Sequence, residues 1–210
     1  SETHNNVTVF FSDIVRFTDI SQALSPVKVC TMLDRLYVAF DALAEKHEVF
    51  KVETIGDAWV GVTNRTCFLT KRDSPLSVCI HCLTITRTFS LFSVEANQND
   101  THVKRIAEFA VEAVAAAGNI LIDEDDPSAG RLHIRVGFHS GQVVSNVIGS
   151  LNPRYGLFGD TMNTASRMEH LSISGKIQCS EVSAILLKEQ APEFPLRRRG
   201  KVAVKGKGHM

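Results

Sequence analysis

Two aspartates stand where apolar runs stop. Asp13 closes the β-branched and aromatic stretch 7–13 (VTVFFSD), and Asp57 ends the turn Thr54-Ile55-Gly56-Asp57 between apolar segments. If those runs are neighbouring strands, two hard anionic oxygens converge at one sheet edge, which is the donor set Mg²⁺ or Mn²⁺ takes alongside phosphate oxygens. Aspartate at a strand end also simply makes turns, so spacing alone leaves both readings open. Asn163 and Arg167 are four positions apart. On a helix that spacing puts both on one face, where a solvated polar surface is the competing explanation.

The elements that must position these groups follow from periodicity. The 7–13 run shows too little alternation for a half-solvated strand and reads as a central one. Pro26 suits the first turn of a helix reaching about Lys46, with Val29, Met32, Leu33, Leu36, Tyr37, Phe40 and Leu43 at steps of three and four. Segments 50–52 and 58–62 read as a hairpin, with Gly56 supplying backbone freedom beside Asp57. From about 64 to 101 no period persists, and the stretch reads as an inserted loop. Its most apolar part, 75–94, carries His81, Arg87 and many hydroxyls, which argue against a membrane span. Its Cys79-Ile80-His81-Cys82 is a lone CxxC with no second pair. Segment 103–117 is an amphipathic helix followed by an acidic turn. Segments 132–139 and 142–148 read as a second hairpin around Ser140-Gly141, followed by a helix at 161–171, a short strand at 176–179 and a helix at 182–188. Strands and helices in that order predict an α+β fold with a helix-covered sheet.

Composition narrows the function classes. The 210 residues are 44% hydrophobic and 22% charged, enough for one sizeable core. Lys plus Arg and Asp plus Glu both number 23, so no global basic field holds nucleic acid or an anionic membrane. No strand carries the paired aromatics of a nucleic-acid platform, and the glycine-lysine signature of a P-loop is missing. Neither an uninterrupted apolar span nor a charged-then-apolar leader is evident, and five cysteines form no disulfide framework. The expectation is a cytoplasmic domain whose anionic ligand is held by a local site.

Five stretches carry more than periodicity: FFSDIVRFT (10–18), VETIGDAW (52–59), IRVGFHSG (134–141), PRYGLFGDTMNTASRME (153–169) and VKGKG (204–208). In order and spacing they resemble the class III nucleotidyl cyclase catalytic domain, in particular its eukaryotic guanylyl cyclase branch. The resemblance spans the chain except for roughly 64–101. It implies a ferredoxin-like α+β fold with a central, mostly antiparallel sheet and packing helices. The chain then reads as a single domain, 1–210, interrupted by the insert and stopping one strand short of the family pattern.

The resemblance also implies roles. Asp13 and Asp57 match the aspartates that bind two Mg²⁺ or Mn²⁺ ions, with the Ile14 carbonyl as a further ligand. Phe17 and Thr18 sit where backbone amides cradle the β- and γ-phosphates, and Arg135 and Lys205 match triphosphate-binding residues, Lys207 being a register alternative for the latter. Asn163 and Arg167 match the pair that orients the ribose and meets charge developing at the α-phosphoryl group. Glu53 matches the purine selector: a carboxylate accepts from guanine N1–H and the exocyclic amine, whereas the adenine N1 lone pair repels it. Such a site discriminates by about 10⁴-fold or more. Gly156 holds the second selector position, where guanylyl members usually have cysteine and adenylyl members aspartate. The expectation is GTP over ATP with selectivity loosened by about 1 to 2 kcal/mol, one neutral hydrogen bond.

Arg16 departs from the glycine usual in the first motif. If that position needs positive φ, arginine is strained there, and otherwise its guanidinium is free to meet phosphate. Family geometry divides each site between two chains, one giving the aspartates and the other the base selector and the Asn-Arg pair. Because this chain carries both sets, a homodimer with composite sites is expected, a heterodimer being the alternative. An adenylyl cyclase, or a silent cyclase-like regulatory module, are the competing functional readings.

Overall fold

The computed structural model describes residues 1–63, 101–151, 153–204 and 208–209. The expected insert at 64–101, with its CxxC, lies outside the described residues up to position 100, as do Lys205 and Lys207.

Strand β1 (Glu2–Ile14) is followed by α1 (Phe17–Ala23), α2 (Pro26–Lys46) and the hairpin β2 (Phe50–Ile55) and β3 (Ala58–Thr63). After α3 (His102–Ala117) come β4 (Ile134–Ile148), β5 (Arg154–Phe158), α4 (Asp160–His170), β6 (Ile177–Cys179) and α5 (Glu181–Gln190), with a small ribbon of β7 (Ala203–Val204) and β8 (Gly208–His209). The main sheet runs β2-β3-β1-β4-β5, antiparallel throughout, and β6 adds in parallel to β4. This is the expected α+β architecture.

Local chemistry explains the helix that leads to the site. Ser25 accepts from the Lys28 N–H and Pro26 opens α2, where its missing donor costs nothing. Met32, Leu36, Phe40 and Ala44 then bury one stripe at steps of four. They meet Phe10, Trp59 and Phe109 in the larger core, where Phe10 and Phe109 pack edge to face at 5.0 Å. On the opposite face of the sheet, Val7, Val9, Val60, Val62, Val143 and Leu157 pack with Ala165 of α4. Phe50 and Val52 from one edge strand and Tyr155 from the other join that cluster, so the sheet curls around it.

The second hairpin expected at Ser140-Gly141 does not form. Strand β4 runs unbroken from Ile134 to Ile148, and Gly141 pairs with Val7 while Ser140 pairs with Thr8. Ser140 is buried and its hydroxyl bonds to those of Thr8 and Ser183, at 2.9 Å each. Gly141 makes room instead of a turn: a Cβ there would lie 2.7 Å from Thr161 Oγ1. Four residues earlier, a Cβ on Gly137 would lie 1.8 Å from the Glu169 backbone nitrogen. Thr161 and Glu169 mark the two ends of α4, so these glycines seat the helix directly along β4.

Candidate active site

Strand register builds the centre of the site. Asp13 pairs with Arg135 across β1 and β4, so their side chains rise from the same face of the sheet. The β2–β3 turn, with Gly56 at φ 63, brings Asp57 to the same end, where the Ile14 N–H donates to Asp57 Oδ2 at 3.2 Å. Tyr37 braces the turn from α2 by donating to the Gly56 carbonyl at 3.1 Å. The two aspartates expected to converge are therefore brought together.

Arg135 bridges the acids. Its Nη2 donates to Asp13 Oδ2, and its Nε lies 3.3 Å from Glu169 Oε1. Glu169 is only 6% exposed, and neither its Oε1 nor Arg135 Nε has an aligned hydrogen bond. Three carboxylates cluster here, and the one guanidinium faces only two of them, Asp13 and Glu169, so negative charge is left uncompensated. Burial, and then hydrogen bonding to Asp13 and its charge, push Asp57 up to about 6. Burial and the charge of Asp13 push Glu169 up to about 7, against the opposing pull of Arg135. Tyr37 rises to about 12 through burial, with Asp57 and Asp13 adding to it. Two adjacent carboxylates, one of them with its ionisation disfavoured by burial and by its neighbour, fit a hard divalent cation.

Glu169 is a member of this cluster that sequence reasoning gave no role. It ends one of the quoted motifs, but the signal that assigns it is the contact with Arg135, set by the seat of α4 on β4. Tyr37 was likewise read only as part of an apolar stripe.

Arg16 takes the left-handed conformation, φ 60 and ψ 32, which costs a non-glycine residue about 1 to 2 kcal/mol. Its Nε pairs with Asp19 at 2.8 Å in solvent, so the strained alternative holds and the guanidinium is engaged by Asp19. Phe17 and Thr18 follow as the first residues of α1, with no side-chain cap from Arg16. The Phe17 ring packs against the larger core.

Of the remaining expected residues, Asn163 and Arg167 lie on α4, Glu53 on β2 and Gly156 on β5. Asn163 and Arg167 share the outward side of α4, away from its buried residues Thr161, Thr164, Ala165, Met168 and Glu169. Neither makes a side-chain hydrogen bond or ion pair among the described residues. Glu53 is exposed on β2, opposite Val60 of the curled-face cluster. Gly156 lies on β5, opposite Asn146, and the atoms nearest to a Cβ there belong to Phe158. Lys205 lies outside the described residues.

The chain matches the family model described as the adenylate and guanylate cyclase catalytic domain over residues 1–210. It is 37% identical to receptor-type guanylate cyclase gcy-28 of Caenorhabditis elegans, covering 99% of this chain and 14% of that protein. Identity is also 37% to guanylate cyclase soluble subunit beta-2 of Rattus norvegicus, over 97% of this chain and 25% of that protein. The chain thus spans a quarter or less of these two relatives. Among solved structures, the guanylate cyclase domain of RhGC from Catenaria anguillulae in complex with GTP aligns with a TM-score of 0.76 at 33% identity, covering 100% of this chain and 95% of that one. Sequence and fold agree, and the chain belongs to the adenylate and guanylate cyclase catalytic domain family.

Proposed function

We propose that this domain converts GTP to 3′,5′-cyclic GMP and pyrophosphate. The observation that carries the reading is the Asp13–Asp57–Arg135 cluster at one end of the sheet, together with an Asn163–Arg167 pair held outward without a side-chain partner among the described residues. Asp13 and Asp57 would hold two Mg²⁺ or Mn²⁺ ions, with the Ile14 carbonyl as a further ligand. When bound, such ions make the ribose 3′-hydroxyl more acidic and neutralise charge on the phosphates.

The chain's own groups supply the rest. Backbone amides of Phe17 and Thr18 cradle the β- and γ-phosphates. Arg135, a planar fork already beside Asp13, turns to the triphosphate, and Lys205 adds a second cation there. The ribose 3′-oxygen bonds to the α-phosphorus as the bond to pyrophosphate breaks in line, the hydroxyl proton passing to solvent. Asn163 orients the ribose, and Arg167 meets the charge that develops on the α-phosphoryl oxygens.

Glu53 accepts from guanine and sets the preference for GTP, while Gly156 adds no side-chain contact. Asn163 and Arg167 face outward from α4, whereas the aspartates sit against the sheet. Two copies related by a two-fold axis therefore complete two sites that neither copy completes alone. The domain works at the cytoplasmic side of whatever protein contains it, and no helix among the described residues is long and apolar enough to cross a membrane.

Product analysis of the purified domain with Mn²⁺ and either GTP or ATP tests the proposal. Cyclic GMP and pyrophosphate in equal amounts, with specific activity rising as protein concentration drives dimerisation, are expected. Cyclic AMP as the main product, or no product from a folded dimer, contradicts it.

A further inference from the structure

We propose that Glu169 is a positioning residue for Arg135: from the end of α4 it grips the guanidinium at Nε, which leaves the Nη groups at the tip aimed at an anion once Asp13 is given over to a cation. The inference rests on the proposed reading of Asp13 and Arg135 and adds to it a residue from another element. The contact is built by the seat of α4. Arg135 and Gly137 are two apart on β4 and so share the sheet face on which α4 lies. At Gly137 the helix comes down onto the strand, where a Cβ would lie 2.4 Å from Glu169 Cα and 2.4 Å from the Met168 carbonyl carbon. One step along that face a side chain does rise, and Arg135 Nε meets the carboxylate of the same Glu169 at 3.3 Å.

The two acids facing Arg135 are not equivalent. Asp13 has a second claim on its charge in the proposed function, and a carboxylate engaged by a cation attracts a guanidinium less. Glu169 is buried on a helix whose backbone is fixed against the strand, and its side chain has no other hydrogen-bond or ion-pair partner among the described residues. It is therefore the partner that stays. A guanidinium held only at its tip turns about its stem, whereas one held at Nε presents a fixed fork to phosphate oxygens. The sign of the effect sets this role apart from bulk electrostatics. Removing a negative charge beside a polyanion by itself tightens the polyanion's binding, and removing a grip on Arg135 weakens it.

Tripolyphosphate carries the anionic chain of the substrate without base or ribose. Its binding to the domain is measured by calorimetry with saturating Mn²⁺ at pH 8, and GTP turnover is measured beside it. Glu169→Gln keeps the shape of the side chain and removes its charge. It is expected to weaken tripolyphosphate about tenfold, the loss of one charged contact, and to raise KM for GTP more than it lowers kcat. Arg135→Ala should weaken binding at least as far, and Glu169→Gln added to it should cost nothing more, whereas a Glu169 that only packs the helix costs the same in either background. Glu169→Met, similar in length and uncharged, serves if the glutamine variant fails to fold. Unchanged or tighter tripolyphosphate binding by the Glu169 variants overturns the proposal, as does an equal loss with and without Arg135. If Arg135→Ala itself leaves tripolyphosphate binding unchanged, the reading of Arg135 has failed and the proposal falls with it. A normal Arg135 effect beside a silent Glu169 refutes the positioning role alone.

Discussion

The Arg135 guanidinium faces two carboxylates at once: Nη2 donates to Asp13, and Nε lies 3.3 Å from Glu169 Oε1. Asp13 belongs to β1, Arg135 to β4 and Glu169 to α4. One side chain thereby couples the proposed metal site to the helix whose outward side carries Asn163 and Arg167.

That coupling has a pH signature. Folded Glu169 keeps its proton up to about pH 7, whereas unfolded it releases it near the ordinary 4.5. Between those values the folded chain binds more protons, so stability is greatest below the unfolded value, falls as pH rises through the window, and levels off above it. Glu169→Gln removes this contribution, roughly 2 kcal/mol after allowance for solvent screening. Urea denaturation of the metal-free domain at pH 4.5 and 7.5 should show the variant gaining on the parent by that amount at the higher pH. Parallel curves would show that Glu169 titrates normally.

The seat of α4 is the next point of attack. Gly137→Ala drives a Cβ into the Glu169 backbone, which cannot move aside as a side-chain tip does. A loss of about 3 kcal/mol or more, or failure to fold, is expected. Gly56→Ala meets no atom within 4 Å but keeps φ at +63, so it should cost only about 1 to 2 kcal/mol. Thermal denaturation of the two variants separates close approach from turn conformation, and equal losses would refute the distinction.

In the proposed function, base choice rests on Glu53. Glu53→Lys replaces the acceptor by a donor and should lower kcat/KM for GTP by about 10²-fold or more while raising the ATP-to-GTP ratio. Competition assays with both nucleotides in one reaction read this directly. An unchanged ratio would remove Glu53 from the base site.

How much of this was legible in the sequence differs from residue to residue. Asp13 and Asp57 announced themselves because each ends an apolar run, and helix α2 was readable from Pro26 to Lys46 because its stripe is long and capped. Ser140-Gly141 misled because glycine reads alike whether it frees a turn or admits a neighbouring helix, and only the Thr161 contact decides which. Helix α1 and strand β5, of 7 and 5 residues, are too short for a period to emerge. Glu169 lacked a role for a different reason. Its partner Arg135 is 34 positions away in sequence and meets it only once α4 lies on β4.

The central claim is that one chain supplies the aspartates and another the Asn-Arg pair of each site, and mixing two inactivated chains tests it most directly. Asp13→Asn and Arg167→Ala homodimers should each produce almost no cyclic GMP. After subunit exchange, half the dimers are mixed and each mixed dimer holds one intact site, so activity should recover to about one quarter of the unmodified domain. No recovery, with exchange verified by differently tagged chains, would contradict the composite site.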